Sequence, residues 1–407
     1  MADVRILTGN EAAALGVKLC RPNVVAAYPI TPQSQLAEIL SRYVEGGEMR
    51  AEYVRVEGEH SALTVCISAS TVGARTFTAT SSNGLLYMHE QLHWAAGSRL
   101  PVVMCVVNRG VGAPWSIFND QQDSLAQRDT GWIQLYCRDN QEIIDTIIQA
   151  YWIAESLYIP VMVCYDGFVL SHTMMPVDIP DAEEVRGFLP PYKAHTLLTP
   201  EAPRTINSVL FPWRRLNPEG VLCDGYMEMR YKLQAAMTRA HGVIRKANDD
   251  FAGVFGRDHG GLVWKYRCED AELVFSGMGS IANEATVAAD LLREEGIPAG
   301  VAGVRTYRPF PREEAAEALR GAKALVVLQK GLSYGYEGCL TSDLKAALYG
   351  TPLLIPVVDV VAGLGGRDVK AREIAGAGRD AWKDLQAGKL ENRSLWLNCY
   401  TGEDHAG

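Results

Sequence analysis

The sequence predicts an α/β protein with a doubly wound parallel sheet, followed by a second, smaller α/β domain. Three observations indicate this class. Strand and helix patterns alternate over residues 1–180, which is typical of a parallel sheet covered by helices. The run PVVMCVV (101–107) is continuously apolar, as expected of a parallel strand buried on both faces. A second strand and helix alternation begins at Glu272.

The first 180 residues divide into short strands and intervening helices. A lead-in strand (4–7) precedes an Ala-rich helix that opens at Asn10, and the apolar run 24–26 ends in a Pro-rich turn. Apolar residues three and four apart predict a helix after that turn. The remaining predicted strands are 52–56, 75–80, 101–108, 132–136 and 160–166, with helices at 62–70, 85–97 and 141–157 between them.

The rest of the chain divides into three parts. Residues 181–265 are predicted to form an extended, Pro-punctuated connection and one long amphipathic helix, because apolar residues recur every three or four positions over 226–255. Residues 266–370 are predicted as the second α/β domain. Residues 371–407 are expected to be a helical tail.

A stiff turn, AYPITPQSQL (27–36), follows the second predicted strand. Pro29 and Pro32 fix φ and push the preceding residues towards extended geometry. The turn should therefore present Thr31 at the carboxyl edge of the sheet, where open α/β sheets bind ligands. Thr31 or Ser34 could cap the next helix, and a Pro-rich turn with a capping Thr is the alternative interpretation.

Two charged residues follow later strands at the same predicted edge. Glu59 opens a helix of small residues and, with Glu57 and His60, could form a proton-handling cluster. The alternative is an acidic first turn that favours the helix dipole. Arg109 directly follows the buried strand and is suited to a bidentate grip on a carboxylate. Its alternative is a salt bridge to Asp120 or Asp123.

Two glycine-rich segments resemble phosphate-binding loops. Residues 277–282, GMGSIA, follow a strand and match G-x-G-x-x-A. The next strand ends at Val304-Arg305-Thr306, without an acid for a ribose hydroxyl, so a tight strand–helix turn is favoured. Residues 363–366, GLGG, are expected to be a flexible loop, and phosphate contact there is the minority alternative.

Composition and charge argue against several classes of partner. The net charge of −9 is dispersed without a basic block, which argues against nucleic acid and anionic membrane surfaces. No apolar run is long enough to span a membrane, and residues 1–10 lack a signal-peptide core. We therefore expect a cytoplasmic location. The nine cysteines are scattered without CxxC spacing, so any iron–sulfur cluster must be held by another chain.

Taken together, several motifs resemble the α chain of the pyruvate:ferredoxin and related 2-oxoacid:acceptor oxidoreductases. That family converts a 2-oxoacid to acyl-CoA and CO₂ on thiamine diphosphate and passes the electrons to iron–sulfur clusters. The motifs span nearly the whole chain, and DSLAQRDTGWIQLY is highly specific. They are AYPITP (27–32), VEGEHSAL (56–63), TATSSNGLLYMHEQLHWA (78–95), NRGVGAPWSIFNDQQDSLAQRDTGWIQLY (108–136), RTYRPFP (305–311) and GLGG (363–366).

The resemblance implies roles for the residues at the sheet edge. It places Thr31 and Arg109 on the substrate carboxylate and Glu59 on the aminopyrimidine ring of thiamine diphosphate, where a buried Glu can share a proton. Tyr28 and Pro29 are implied as further cofactor contacts. The first domain would be the pyrimidine-side cofactor-binding domain, and the second would be transketolase-C-terminal-like.

The resemblance also implies partner chains, because the GDG…Asn motif for the diphosphate and Mg²⁺ is absent. A β chain would carry that motif, and γ and iron–sulfur (δ-type) chains would carry electrons to ferredoxin or to a flavin or NAD-linked subunit. CoA is the implied cosubstrate. This chain alone should be inactive.

The residues around Trp115 bear on the choice of substrate. Family members that act on pyruvate commonly have a smaller residue where this chain has Trp115, and they often have His near position 121, where this chain has Gln121. A pocket for a larger or aromatic 2-oxoacid such as phenylglyoxylate is one interpretation, and a packing change is the other. Thr31 favours a monocarboxylic 2-oxoacid. Three alternative functions stay open: a nucleotide-binding oxidoreductase using GMGSIA, a non-catalytic assembly subunit, and a transketolase-like or decarboxylase role.

Overall fold

The computed structural model describes residues 3–194, 212–216, 220 and 222–400. The elements up to the long connection alternate as the sequence predicts. They are β1 (Asp3–Leu7), α1 (Gly9–Cys20), β2 (Val24–Ala27), α2 (Ser34–Glu45), β3 (Glu52–Arg55), α3 (Glu59–Thr71), β4 (Thr76–Thr80), α4 (Ser82–Tyr87), α5 (His89–Gly97), β5 (Val103–Asn108), α6 (Gln122–Leu125), β6 (Ile133–Tyr136), α7 (Asn140–Leu157), β7 (Val161–Asp166), β8 (Met175–Ile179) and α8 (Ala182–Phe188).

The second half of the chain begins with a short antiparallel pair and a long helix. The elements are β9 (Arg215–Leu216), β10 (Leu222–Cys223), α9 (Tyr226–Phe255), β11 (Val263–Tyr266), β12 (Leu273–Gly277), α10 (Ser280–Glu294), β13 (Ala299–Val304), β14 (Thr306–Arg308), α11 (Arg312–Ala318), β15 (Ala324–Gln329), α12 (Cys339–Leu348), β16 (Val357–Val361), α13 (Ala371–Gln386) and β17 (Arg393–Trp396). The long amphipathic helix α9 has the predicted bounds, which confirms the apolar periodicity. Of the predicted extended connection, residues 195–211, 217–219 and 221 lie outside the described residues.

The first large sheet has the strand order β3-β2-β4-β5-β7-β6-β14. All neighbouring pairs are parallel except β14, which runs antiparallel to β6. The chain leaves β2 towards β3 on one side and leaves β4 towards β5 on the other. The topological switch point therefore lies between β2 and β4, and open α/β sheets bind ligands at such a point.

The second sheet has the order β11-β13-β12-β15-β16-β17 and is parallel except for β11. Its switch point lies between β12 and β15. The strands β12, β13, β15 and β16 are buried along their whole length, as their continuous Val, Ala and Leu runs predict. The α/β fold class is confirmed in both halves of the chain.

Local capping sets where the first helices begin. The Thr8 hydroxyl accepts a hydrogen bond from the Glu11 N–H and the Glu11 carboxylate accepts one from the Thr8 N–H. This capping box starts α1 one residue before the predicted Asn10. The Asp139 carboxylate caps α7 by accepting a hydrogen bond from the N–H of Glu142.

The predicted lead-in strand is confirmed as β1, which pairs antiparallel with β8 outside the large sheet. Two other sequence predictions about these elements are wrong. The helix predicted over 85–97 is interrupted at Met88, between α4 and α5. The tail 371–407 is not wholly helical, because β17 adds a strand parallel to β16; its last residues, 401–407, lie outside the described part.

None of the helices in the described ranges has a stretch that is apolar and long enough to cross a membrane.

Candidate active site

The turn after β2 brings the first predicted site residue to the switch point. Tyr28, Pro29 and Thr31 are exposed there. A hydrogen bond to α1 anchors the turn, because the Asn10 side-chain amide donates to the Pro32 carbonyl oxygen at 2.9 Å. Gly167 permits this packing, since a Cβ at that residue would lie 2.8 Å from the ring of Pro32. The N-cap of α2 is Gln33 and no side chain caps the helix, so the prediction that Thr31 or Ser34 caps it is wrong.

Arg109 lies beside this turn, at the end of β5. Its Nη1 donates to the Thr31 carbonyl oxygen at 2.8 Å and its Nε donates to the Ser116 carbonyl oxygen at 3.2 Å. The residue is 5% exposed, and burial lowers the pKa of its guanidinium. No ion pair to this guanidinium occurs among the described residues. The alternative of a salt bridge to Asp120 or Asp123 is therefore wrong, and the cation can accept a carboxylate.

Aromatic side chains flank this cation. The Arg109 guanidinium carbon lies 5.7 Å from the centre of the Trp115 ring, which is 76% exposed. Phe118 contacts Phe168, with 5.0 Å between ring centres. Trp115 and Phe118 belong to the segment 109–121, which we call the Arg109 loop. This loop has an exposed aromatic surface, and its Trp115 ring lies beside the positive charge of Arg109.

The second half of the chain holds the Arg109 loop in place. The Gly366 N–H donates to the Asn119 carbonyl oxygen at 2.8 Å, and the Gln121 N–H donates to the Lys330 carbonyl oxygen at 2.7 Å. Gly366 has a φ of +74°, and a Cβ there would lie 2.5 Å from the Cβ of Phe118. The GLGG segment is thus a packing surface for the loop rather than a phosphate loop.

Gly366→Ala should lower the free energy of unfolding by about 1–3 kcal/mol, because a left-handed backbone and a steric clash coincide. Gly376→Ala is the matched control, since Gly376 lies inside α13 with no atom within 4 Å of an added Cβ. The control should gain about 0.5–1 kcal/mol. Urea unfolding of both variants measures the difference, and equal stabilities would contradict the packing role.

Glu59 occupies the first position of α3 and is 8% exposed. Its carboxylate has no hydrogen bond or ion pair within the described ranges. Gly84 lies against it, because a Cβ at that position would be 2.5 Å from Oε1 of Glu59. The Thr80 hydroxyl, 2.6 Å from the same Cβ position, is buried without a partner in this part of the structure. The Glu59 carboxylate and the Thr80 hydroxyl thus lie close to the same point beside Gly84.

The predicted proton-handling cluster is not assembled. Glu57 is exposed and accepts a hydrogen bond from the Ser61 hydroxyl, which lowers the pKa of its carboxyl group. The His60 Nε2 contacts the Gln91 amide nitrogen at 3.0 Å. Neither side chain hydrogen-bonds to Glu59, so Glu59 is the proton-handling candidate that remains.

Asp123 is a site residue that the sequence did not reveal by itself. It is fully buried, and its carboxylate accepts hydrogen bonds from the backbone N–H groups of Ser82 and Arg109 and from the Asn108 side chain. Burial raises the pKa of Asp123 to about 7 and that of Asp120 to about 6. Its position at the start of the specific run 123–136 was the available signal.

The GMGSIA turn does not have a free helix N-terminus. Asp166, at the end of β7, accepts hydrogen bonds from the Ser280 N–H at 3.1 Å and the Lys330 ammonium at 2.9 Å. Burial alone would raise the pKa of Asp166, but Lys330 and the hydrogen bonds lower it below its usual value. A carboxylate from the first sheet therefore fills the switch point of the second, where a dinucleotide phosphate would bind.

Comparison with known families gives two matches. Residues 15–249 match the model of the pyruvate flavodoxin/ferredoxin oxidoreductase thiamine diphosphate-binding domain. Residues 271–374 match the model of the pyruvate:ferredoxin oxidoreductase core domain II. The first match alone covers more than half of the chain.

Curated relatives match over nearly the whole chain. The ketoisovalerate oxidoreductase subunit VorA of Pyrococcus horikoshii is 44% identical over 395 residues, which are 97% of this chain and 98% of that protein. The pyruvate synthase subunit PorA of Methanocaldococcus jannaschii is 46% identical over 379 residues, 92% of this chain and 94% of that protein.

Solved structures show the same fold. The 2-oxoglutarate:ferredoxin oxidoreductase of Magnetococcus marinus, solved with 2-oxoglutarate, coenzyme A and succinyl-CoA bound, matches with a TM-score of 0.70 and 20% identity. That match covers 93% of this chain and 65% of the solved chain, so this chain spans about two thirds of its length. A split-gene transketolase, an inactive β4 tetramer, matches with a TM-score of 0.53 and 16% identity over 93% of this chain and 98% of that one.

Proposed function

Because this chain belongs to the α subunits of the pyruvate and 2-oxoacid:ferredoxin oxidoreductases, we propose that its complex oxidatively decarboxylates a monocarboxylic 2-oxoacid to acyl-CoA and CO₂. One observation carries the proposal. At the switch point of the first sheet, a buried guanidinium without a counter-ion among the described residues contacts the Thr31 backbone. A buried carboxylate, Glu59, begins the helix that follows the neighbouring strand.

The substrate-binding residues of the proposal are Thr31 and Arg109. The carboxylate of a 2-oxoacid would take the guanidinium N–H groups that the main-chain carbonyls leave unused. The Thr31 side chain is exposed beside them and has a hydroxyl donor for the same group. An uncharged Thr favours one carboxylate over two, as in pyruvate or phenylglyoxylate, since a second carboxylate would need another cation.

The described residues fit thiamine diphosphate on its aminopyrimidine side. Glu59 is 8% exposed and makes no hydrogen bond among the described residues, the Thr80 hydroxyl beside it is buried without a partner there, and Gly84 keeps the space between them open. When bound, thiamine diphosphate supplies the carbon nucleophile for attack on a 2-oxoacid carbonyl. Glu59 would hold a proton at the pyrimidine ring nitrogen and orient that ring, while Tyr28 and Pro29 would contact it from the exposed turn.

Two observations support partner chains: this chain has exposed aromatic residues near the candidate site, and its sequence lacks the GDG motif for the diphosphate and Mg²⁺. Tyr87, which is 62% exposed, approaches Gly58 beside Glu59, and Trp115 is exposed over Arg109; exposed aromatic residues are typical of interfaces. We propose that a β chain covers this edge and carries the diphosphate and Mg²⁺ site. Iron–sulfur clusters on γ and δ-type chains would pass electrons to ferredoxin or to a flavin or NAD-linked subunit, and activity would require the assembly.

The proposed domains are a pyrimidine-side domain (1–180), a connection with its helix (181–265) and a transketolase-C-terminal-like domain (266–370). The two large sheets support this division in outline. Three edge strands depart from it, because β14 joins the first sheet, while β11 from the connection and β17 from the tail join the second. The cytoplasmic location remains an expectation from the sequence. Trp115 and Phe118 support an aryl substrate as one option within the proposal, and pyruvate is the other.

Arg109→Ala should raise the KM for the 2-oxoacid and lower kcat/KM by roughly 10- to 150-fold, because one charge-assisted contact of about 1.5–3 kcal/mol is lost. Steady-state kinetics of the assembled complex measure this. Arg99→Ala is the matched control, since Arg99 also donates to two main-chain carbonyls, those of Leu157 and Tyr158, at the opposite edge of the sheet. An unchanged KM in Arg109→Ala would remove Arg109 from the substrate site.

A further inference from the structure

One buried carboxylate connects the two halves of the proposed site. Oδ2 of Asp123 accepts the Ser82 N–H at 2.9 Å and the Arg109 N–H at 3.0 Å. Oδ1 accepts the Asn108 side-chain amide at 2.7 Å and the Ser124 N–H at 2.8 Å. All four partners are N–H donors, so they fit an ionised carboxylate, which only accepts hydrogen bonds.

The two donors on Oδ2 belong to different strand ends. The Arg109 N–H begins the loop that follows β5, and the orientation of this peptide sets where the guanidinium leaves the sheet. The Ser82 N–H begins α4 after β4. Ser82 has a φ of +51°, a backbone conformation that non-glycine residues rarely adopt and that needs support from its surroundings.

The Ser82 end of this network leads to Glu59. Gly84 lies two residues further along α4, and its backbone packs against the Glu59 carboxylate so closely that a Cβ would approach Oε1 to 2.5 Å. A second link reinforces the first, because the Ser82 hydroxyl donates to the Gly110 carbonyl oxygen. Asp123 is therefore linked by hydrogen bonds to Arg109 and, through Ser82 and α4, to Gly84, which packs against the Glu59 carboxylate.

We propose that Asp123 is a positioning residue that sets the distance between Arg109, which holds the substrate carboxylate, and Glu59, which orients the cofactor. This inference rests on the proposed function. Reacting groups must be held within a fraction of an ångström, and a displacement of about 1 Å can lower the rate by roughly 10²-fold. Asp123 acts through other residues and does not touch substrate.

Asp123→Asn tests the proposal, because the amide has the size of the carboxylate but replaces one acceptor oxygen with an NH₂ donor. That NH₂ group cannot accept hydrogen bonds from the N–H groups that face it. In the assembled complex we expect a higher KM for the 2-oxoacid and a lower kcat together, with kcat/KM reduced by about tenfold or more. In the Arg109→Ala background, Asp123→Asn should lower kcat but raise KM no further, since both changes act on the same guanidinium.

Asp359→Asn is the matched control. Asp359 is as deeply buried, in β16, and its carboxylate accepts hydrogen bonds from the Gly338 N–H and the hydroxyls of Thr341 and Ser394. It should lose thermal stability without a change in KM. Two results would overturn the positioning role. One is an equal kcat/KM in Asp123→Asn and Asp359→Asn. The other is a KM in the Asp123→Asn/Arg109→Ala double variant that rises by the product of the two single-variant factors.

A second variant decides the matter if Asp123→Asn does not assemble. Asn108→Ala removes one of the four donors and leaves the carboxylate in place. We expect the same joint change in KM and kcat, several-fold in kcat/KM, and unchanged kinetics would overturn the proposal. A different result would contradict the proposed function itself: kinetics of Arg109→Ala and Glu59→Gln that equal those of the unmodified complex.

Discussion

Replacing Glu59 by Gln should lower the turnover of the assembled complex by about 10²–10⁴-fold, the range for a positioned proton-handling group. Gln has the shape of Glu but cannot share the proton that the pyrimidine ring requires. Because Glu59 makes no hydrogen bond or ion pair within the described residues, its replacement should leave folding and assembly intact. Steady-state turnover and size-exclusion chromatography of the purified complex measure the two effects.

The control for this variant lies two residues away. Glu57→Gln changes an exposed carboxylate whose partner is the Ser61 hydroxyl, and we expect turnover close to that of the unmodified complex. Full activity of Glu59→Gln would remove Glu59 from the mechanism. If Arg109→Ala were also fully active, the non-catalytic assembly subunit would become the better interpretation.

Replacing Arg305 by Met should destabilise the chain by about 3–5 kcal/mol, because the buried Glu142 carboxylate loses its nearer cation and keeps only Arg138, at 3.7 Å. Both side chains are fully buried and 2.7 Å apart. The guanidinium also donates to the Gly261 carbonyl oxygen, the Thr146 hydroxyl and the Gln149 amide oxygen. Arg305 lies between β13 and β14, so this network fixes the two large sheets to each other through α7.

Urea unfolding of the purified chain measures this effect. The matched control is Lys323→Met, which removes the cation of an exposed pair with Glu272 at the same N–O distance of 2.7 Å. An exposed pair contributes about 0–1 kcal/mol, so the control should change little. A loss in Arg305→Met that does not exceed that of the control would contradict the role of the network.

The sequence predicted the elements whose signal is local. The bounds of α9 follow from apolar residues every three or four positions, and the buried central strands of both sheets follow from short apolar runs. The proximity of Thr31 and Arg109 was also predictable, since the carboxyl ends of parallel strands meet at one edge. The hydrogen bond from the Arg109 guanidinium to the Thr31 main-chain carbonyl was not predictable, because no pattern of side-chain types indicates a contact with the main chain.

Features that depend on distant partners were not predictable. β14 has three residues and joins the sheet of the first half, although its neighbours in sequence belong to the second. The partner of the GMGSIA helix N-terminus is Asp166, more than a hundred residues earlier, and the donors on Asp123 come from three separate segments. Periodicity reports which face of an element is buried, but it does not identify the group that covers it.

The most direct test of the proposed function is CoA-dependent turnover by the complex purified through this chain. Pyruvate, 2-oxoglutarate, 2-oxoisovalerate, indolepyruvate and phenylglyoxylate would be compared side by side with an artificial electron acceptor. We expect turnover with a monocarboxylic 2-oxoacid; preference for phenylglyoxylate would assign a pocket-shaping role to Trp115, and preference for pyruvate would make it a packing residue. The absence of CoA-dependent turnover with all five would contradict the proposed function.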